Sequence, residues 1–238
     1  MPGPGVMQRF ARWSLAAVLA ILLSVPMERG RAGDEEVDLA LILAIDCSFS
    51  VDANEFRLQM EGLGQAFMSE EVKEAIRSGP HQRIAVSAYQ WSDVNNQLVV
   101  LPWAVISGDA DADELGRTLS RMQRRLAQGG TSISTALMFG AEMFASAPTA
   151  PRRVIDVSSD GRNNMGPPIS AVRDRLVASG ITINALAILN EWPTLDVYFE
   201  SQLVGGQGNF VIPANDYPAY GEAIFRKLLK EITGPGIS

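Results

Sequence analysis

Leu39-Ala40-Leu41-Ile42-Leu43-Ala44-Ile45 runs without a polar residue into Asp46-Cys47-Ser48-Phe49-Ser50. An unbroken apolar run closed by a hydroxyl-rich stretch reads as a strand buried on both faces, as in the centre of a parallel sheet. If the chain stays near-extended past Ile45, Asp46, Ser48 and Ser50 project to one side at every second position. Three oxygen groups at the mouth of a central strand are costly to leave unused, and a hard divalent cation is a natural use for them.

Outward from this strand, apolar strands alternate with helical patterns. Further strands are expected over residues 84–91, 98–103, 154–158, 181–188 and 210–212, with the first spanning 37–45. Phe56, Met60, Leu63 and Phe67 recur at helical spacing, as do Leu115, Leu119, Met122 and Leu126. Asp111 with Glu114 three residues on marks the start of that second helix. Ile133, Leu137, Gly140 and Phe144 predict a third, Ile169, Val172 and Leu176 a fourth, and Tyr220, Ile224 and Leu228 a fifth. Residues 92–96 are too few for a helical crossover, so the second and third strands form an antiparallel hairpin at a sheet edge. The resulting fold class is α/β: a doubly wound, mostly parallel six-stranded sheet with one antiparallel edge strand and helices on both faces. Asp156, inside an apolar strand, calls for a partner in Arg152, Arg153 or a neighbouring loop.

Two more loops reach the carboxyl end of such a sheet, where doubly wound folds bind ligands. One is Gly129-Gly130-Thr131-Ser132, before the third helix; the other is Asp160-Gly161, directly after the fourth main strand. Ser48, Ser50 and Thr131 offer neutral oxygens, while Asp46 and Asp160 offer charge. That set suits Mg²⁺, Mn²⁺ or Ca²⁺. Two carboxylates only balance a divalent charge, which leaves the ion open to an external oxygen, such as an acidic side chain of a partner protein. Each residue also has a plain structural reading: loop capping for Asp46, Ser48 and Ser50, a helix N-cap for Thr131, an Asp-Gly turn for Asp160. Those readings explain each piece but not the convergence. Asp52 and Glu55 read better as the acidic start of the first helix than as a second cation site.

The order Asp46-x-Ser48-x-Ser50, then Thr131 after two glycines, then Asp160-Gly161, resembles the metal-ion-dependent adhesion site (MIDAS) of the von Willebrand factor type A (vWA) family. The resemblance covers residues 37–233. It implies the vWA fold, direct metal binding by Ser48, Ser50 and Thr131, action of Asp46 and Asp160 mainly through water, and a partner protein donating a Glu or Asp carboxylate. Residues 153–157 and 205–210 further resemble a group of uncharacterised exported bacterial proteins built of this domain alone, which implies no activity.

Composition narrows the alternatives. The chain has 238 residues, enough for one domain with a sizeable core. Arg9 and Arg12, the apolar run 13–25 and the small residues near Ala32 have the order of a secretory signal peptide, expected over residues 1–32 and followed by the vWA-like domain over 33–238. Export to the periplasm or medium is the consequence, with an uncleaved N-terminal membrane anchor as the alternative. Losing residues 1–32 removes four of 20 basic and one of 27 acidic residues, leaving 16 against 26 and a net charge of -10. Such a chain is a poor partner for nucleic acid. The single cysteine, Cys47, allows no internal disulfide and reads as a small buried hydrophobe.

An enzyme is the rival class. The one histidine, His81, precedes the second strand and so falls at the amino end of the sheet, away from the oxygen cluster; no G-x-S-x-G is present. A metal-dependent hydrolase or phosphatase would want a cationic clamp, for which Arg162 is the nearest candidate. The expectation is therefore a non-enzymatic, exported, cation-dependent protein-binding module, with such a hydrolase or a scaffold with a merely stabilising metal as alternatives. Trp192 and residues 191–200 follow the fifth strand and can rim the binding face, with packing as the plainer role of Trp192.

Overall fold

The structure is a computed structural model that describes Met1 and residues 36–234. The chain divides into a unit Met1–Gly30 and a unit Arg31–Ser238, and the second unit carries the sheet. The expected signal segment, residues 1–32, lies outside the described residues apart from Met1. Among the described residues no helix is long and apolar enough to cross a membrane.

Among the described residues six strands form one sheet in the order β3-β2-β1-β4-β5-β6, with β1 (Ala40–Asp46), β2 (Ile84–Trp91), β3 (Gln97–Ile106), β4 (Arg153–Ser159), β5 (Ile181–Ile188) and β6 (Val211–Ala214). All neighbours are parallel except β2 and β3, joined by the five-residue turn expected at 92–96. β3 is an edge strand, which accommodates Pro102 and its missing N–H. The α/β expectation holds, strand by strand, to within a few residues at each end.

The apolar run of β1 serves two cores at once. Leu39, Leu41, Leu43 and Ile45 pack on one face, and Ile42 and Ala44 on the other. The first face is covered by α1 (Ala53–Met68), α2 (Glu70–Arg77), α3 (Asp109–Ser120) and α7 (Tyr220–Thr233). The second is covered by α4 (Ile133–Met143), α5 (Ile169–Ala178) and α6 (Leu195–Gln202). Because β2 lies to one side of β1 and β4 to the other, the switch point of the double winding falls beside β1.

Among the described residues seven α-helices stand where five were expected. Ser69 ends α1 and caps α2, accepting from Val72 N at 3.3 Å, so the first helical pattern is two helices. α6 is only eight residues long, and its apolar Leu195, Val197, Tyr198 and Phe199 do not repeat at helical spacing over more than one turn. The second pattern overran: α3 stops at Ser120, and Met122 and Leu126 reach the core from an irregular segment. Asp111 does not begin that helix. Its N-cap is Gly108, and the Asp111 carboxylate instead accepts from the backbone N–H and hydroxyl of Ser107 at 3.0 and 2.9 Å. Asp52 and Glu55 form a reciprocal capping box at the start of α1, in keeping with their reading as its acidic first turn.

Asp156 pairs with neither Arg152 nor Arg153. Its carboxylate meets Lys227 of α7, which also bonds Glu231 at 2.6 Å; all three side chains are buried. Arg152 donates to the carbonyls of Glu231 and Ile232 near the end of α7, and Arg153 to the carbonyl of Ser179 after α5.

Candidate metal centre

The chain turns directly after β1. Asp46 Oδ1 accepts the backbone N–H of Ser48 at 2.7 Å, a short local turn that ends the strand. The extended spacing expected for residues 46–50 is therefore replaced by a turn. It still gathers the three oxygens, buries Cys47 and throws Phe49 outward with 69% of its surface exposed. Phe49 N–H donates to Gly129 O at 2.9 Å, tying this turn to the glycine-rich loop.

Parallel pairing of β1 and β4 brings Ile45 beside Ser158, which sets Ser159 and Asp160 next to Asp46. Ser159 Oγ donates to Asp46 Oδ2, and Ser50 Oγ donates to Asp160 Oδ1 at 2.6 Å. Ser48 Oγ and Ser50 Oγ lie 3.1 Å apart. The second oxygen of Asp160 accepts from the Tyr217 hydroxyl at 2.9 Å. Asp46, Ser48 and Asp160 are buried, and Ser50 is half-buried.

Thr131 comes from the loop before α4. Its backbone is clamped on both sides by Asn164: Thr131 N–H donates to Asn164 Oδ1 and Asn164 N–H to Thr131 O, both at 2.9 Å. Ser132, not Thr131, is the N-cap residue of α4. The Thr131 hydroxyl has no hydrogen bond among the described residues, so it serves neither cap nor loop. Gly161 packs beside it, and a Cβ there would sit a tight 3.3 Å from Thr131 Oγ1 and Cγ2.

All five expected residues thus meet at one place. Asp46, Ser48, Ser50 and Asp160 form one hydrogen-bonded group. Thr131 joins them through a cavity of about 350 Å³ that it lines with Ser50, Gly161 and Arg162. Glu191 and Trp192 sit on the same cavity, so Trp192, 46% exposed, is at the rim rather than packed away. Sequence reasoning missed Ser159, Asn164 and Tyr217. Ser159 was legible as a hydroxyl next to Asp160; Tyr217, 57 residues away, carried no local signal.

The electrostatics are unusual. Burial, and then the nearby Asp160, push Asp46 up to about 7, while bonds from Ser159 and Ser48 pull it down. Burial also raises Asp160, against the bonds from Ser50 and Tyr217. Burial and the Asp160 charge raise Tyr217, which therefore remains a proton donor. Among the described residues neither aspartate is paired with a cationic side chain; Arg124 is near but donates to Ser48 O at 3.2 Å. Two carboxylates and three hydroxyls with no internal counter-charge make a donor set for a hard cation. Among the described residues no group of three or more His, Cys, Asp or Glu is placed to hold a metal ion, so hydroxyls rather than charge count distinguish this set.

The fold is that of vWA domains. It is similar to proximal thread matrix protein 1 of the mussel byssus, solved with a zinc-occupied MIDAS motif: TM-score 0.64 and 17% identity over 84% of this chain and 49% of that one. A von Willebrand factor type A protein of Catenulispora acidiphila is similar at TM-score 0.52 and 21% identity, over 85% of this chain and 44% of that one. The pilus adhesin SpaC of Lactobacillus rhamnosus GG gives 0.57 and 13%, over 86% and 32%. The chain spans about half the length of the mussel protein or less in each case. No protein of curated function matches the sequence. A family profile described as "Protein of unknown function (DUF1194)" matches residues 36–236, and the chain belongs to that family.

Proposed function

We propose that this protein is a divalent-cation-dependent protein-binding module. Ser48, Ser50 and Thr131 would hold the ion directly, with Asp46 and Asp160 supplying its counter-charge. Bound there, the cation offers a Lewis-acidic position to a Glu or Asp carboxylate of a partner protein. The observation that carries this reading is the pair of buried aspartates without a cationic partner, beside a Thr131 hydroxyl that bonds nothing within the described residues. A protein leaves such groups together at a cost of several kcal/mol unless something neutralises them. The all-oxygen donor set favours Mg²⁺ or Mn²⁺, with Ca²⁺ as the larger alternative.

The chain's own residues prepare the site. Tyr217 and Ser50 orient the two oxygens of Asp160, and Ser159 orients Asp46. Asn164 holds Thr131 from both sides of its peptide. No catalytic step belongs to the proposal. His81 lies before β2, at the opposite end of the sheet from the cluster. Export, implied by residues 1–32, would place the module outside the cytoplasm.

Calorimetric titration with Mn²⁺ and Mg²⁺ tests the first half: one site in the wild type, none in Asp160→Ala. Equal binding by both proteins would refute the assignment. The second half is tested by capture from an envelope extract with and without EDTA. Partners recovered equally in both conditions would leave only a stabilising metal.

A further inference from the structure

Arg162 lies two residues beyond Asp160 and lines the same cavity as Ser50 and Thr131. Its guanidinium is immobilised from three directions. Cζ is 4.8 Å from the centre of the Trp192 ring and 5.2 Å from that of Tyr198, and a terminal nitrogen donates to Thr194 Oγ1 at 3.2 Å. Nε is buried away from solvent, but the other terminal nitrogen, Nη1, makes no hydrogen bond, and no carboxylate pairs with the group among the described residues. Glu191, the acid on the same cavity, is exposed and makes no bond to it. A charged fork stacked between rings and left without an anion is a preorganised receptor, because its planar donors match a carboxylate bidentately.

We propose that Arg162 is a second anchor of the docking site. The partner segment presents two carboxylates, one for the metal and one for the Arg162 guanidinium. This rests on the metal-centre reading and deepens it. A cavity of about 350 Å³ has room for two short acidic side chains side by side. The chain as a whole carries a formal charge of -7, so its general field repels an acidic partner. The cation and Arg162 are then the local attraction that selects which acidic segment enters, and a segment with one carboxylate satisfies only half of it. Phe49 and Trp192, 69% and 46% exposed, flank the entrance and favour an apolar residue beside the acidic pair.

The test uses the full chain loaded with Mn²⁺. Acetate, succinate, glutarate and adipate serve as probes, with binding read from the relaxation of water protons by the bound ion. In the wild type the best dicarboxylate binds at least about tenfold more tightly than acetate, the gain expected of one charge-assisted bidentate contact. In Arg162→Gln that ratio falls towards one, and in Arg162→Lys it lies between. A ratio near one in the wild type overturns the proposal. So does a ratio unchanged in Arg162→Gln, or an acetate affinity that drops as far as that of the dicarboxylate. Inorganic phosphate binding more tightly than every dicarboxylate overturns it too, in favour of a phosphoryl ligand. Failure of the wild type to take up Mn²⁺ overturns the metal reading and this one together, and is distinct from the other outcomes, in all of which Mn²⁺ is bound.

Discussion

The Ser50 hydroxyl donates a 2.6 Å hydrogen bond to Asp160, joining loops 110 residues apart in sequence. The other oxygen of that carboxylate is held by Tyr217 at 2.9 Å, so Asp160 is aimed from both sides. Groups that orient a metal-binding carboxylate are typically worth roughly 10–100-fold in affinity. Tyr217→Phe, which removes only the hydroxyl, is expected to weaken Mn²⁺ binding about tenfold. Calorimetry measures it; an unchanged affinity would mean that Ser50 alone suffices.

Metal binding should also appear as stability. A ligand at about 100 times its dissociation constant adds about 2.7 kcal/mol, which for a domain of this size raises Tm by roughly 5–10 °C. The wild type should show that rise with Mn²⁺ and lose it on addition of EDTA. Asp160→Ala should show none. Differential scanning calorimetry reads all three.

The buried trio Asp156, Lys227 and Glu231 predicts a large mutational cost. Lys227 is the only cation between two buried acids among the described residues. Lys227→Met leaves both carboxylates without it, and breaking a buried pair in this way costs about 3–5 kcal/mol. Urea denaturation of the two proteins gives the difference, and a loss below about 1 kcal/mol would contradict the pairing.

Glu231 gives a pH dependence. Burial, and then the charge of Asp156, raise it to about 7 from 4.5, against the pull of Lys227 and of Asn184, whose amide donates to it at 3.1 Å. For an acid raised by folding, the stabilisation is complete below about pH 4.5 and is lost as pH climbs through about 7. The wild type should therefore lose stability between about pH 4.5 and 7, on the order of a few kcal/mol from this group. Glu231→Gln should flatten that slope. Asp46 acts with the same sign, so the informative quantity is the difference between wild type and Glu231→Gln in urea titrations across this range.

Gly64 of α1 faces Gly116 of α3 so closely that a methyl group would run into the Gly116 carbonyl and the Ser120 hydroxyl. Backbone cannot yield as a side-chain tip does. Gly64→Ala should cost about 1–3 kcal/mol with metal affinity little changed, since Gly64 sits in the later half of α1, far along the helix from the end that adjoins Ser50. Thermal unfolding and Mn²⁺ titration of one sample check both parts.

Much of the fold was legible along the chain because it depends on near neighbours. The run 39–45 reads as a strand covered on both faces, and the sheet order places it at the centre. The five-residue link 92–96 could only close a hairpin. Asp46, Ser48, Ser50, Thr131 and Asp160 were recognisable as types and positions because each follows a strand or precedes a helix at the same end of the sheet. Helix boundaries were less legible. Ser69 splits one apolar pattern into two helices, and Met122 and Leu126 keep helical spacing without being helical.

Interactions between distant segments had no local signature. Lys227 neutralises Asp156 because α7 packs on the sheet face towards which Asp156 points, although Arg152 and Arg153 are nearer in sequence. Tyr217 finds Asp160, and Trp192 and Tyr198 trap Arg162, for the same reason. Periodicity and residue type record what a segment needs: an apolar face to bury, a charge to satisfy. Which distant group meets that need is settled only when packing brings the segments together. Here that step brought five scattered oxygen side chains together, and placed beside them an arginine held against two aromatic rings.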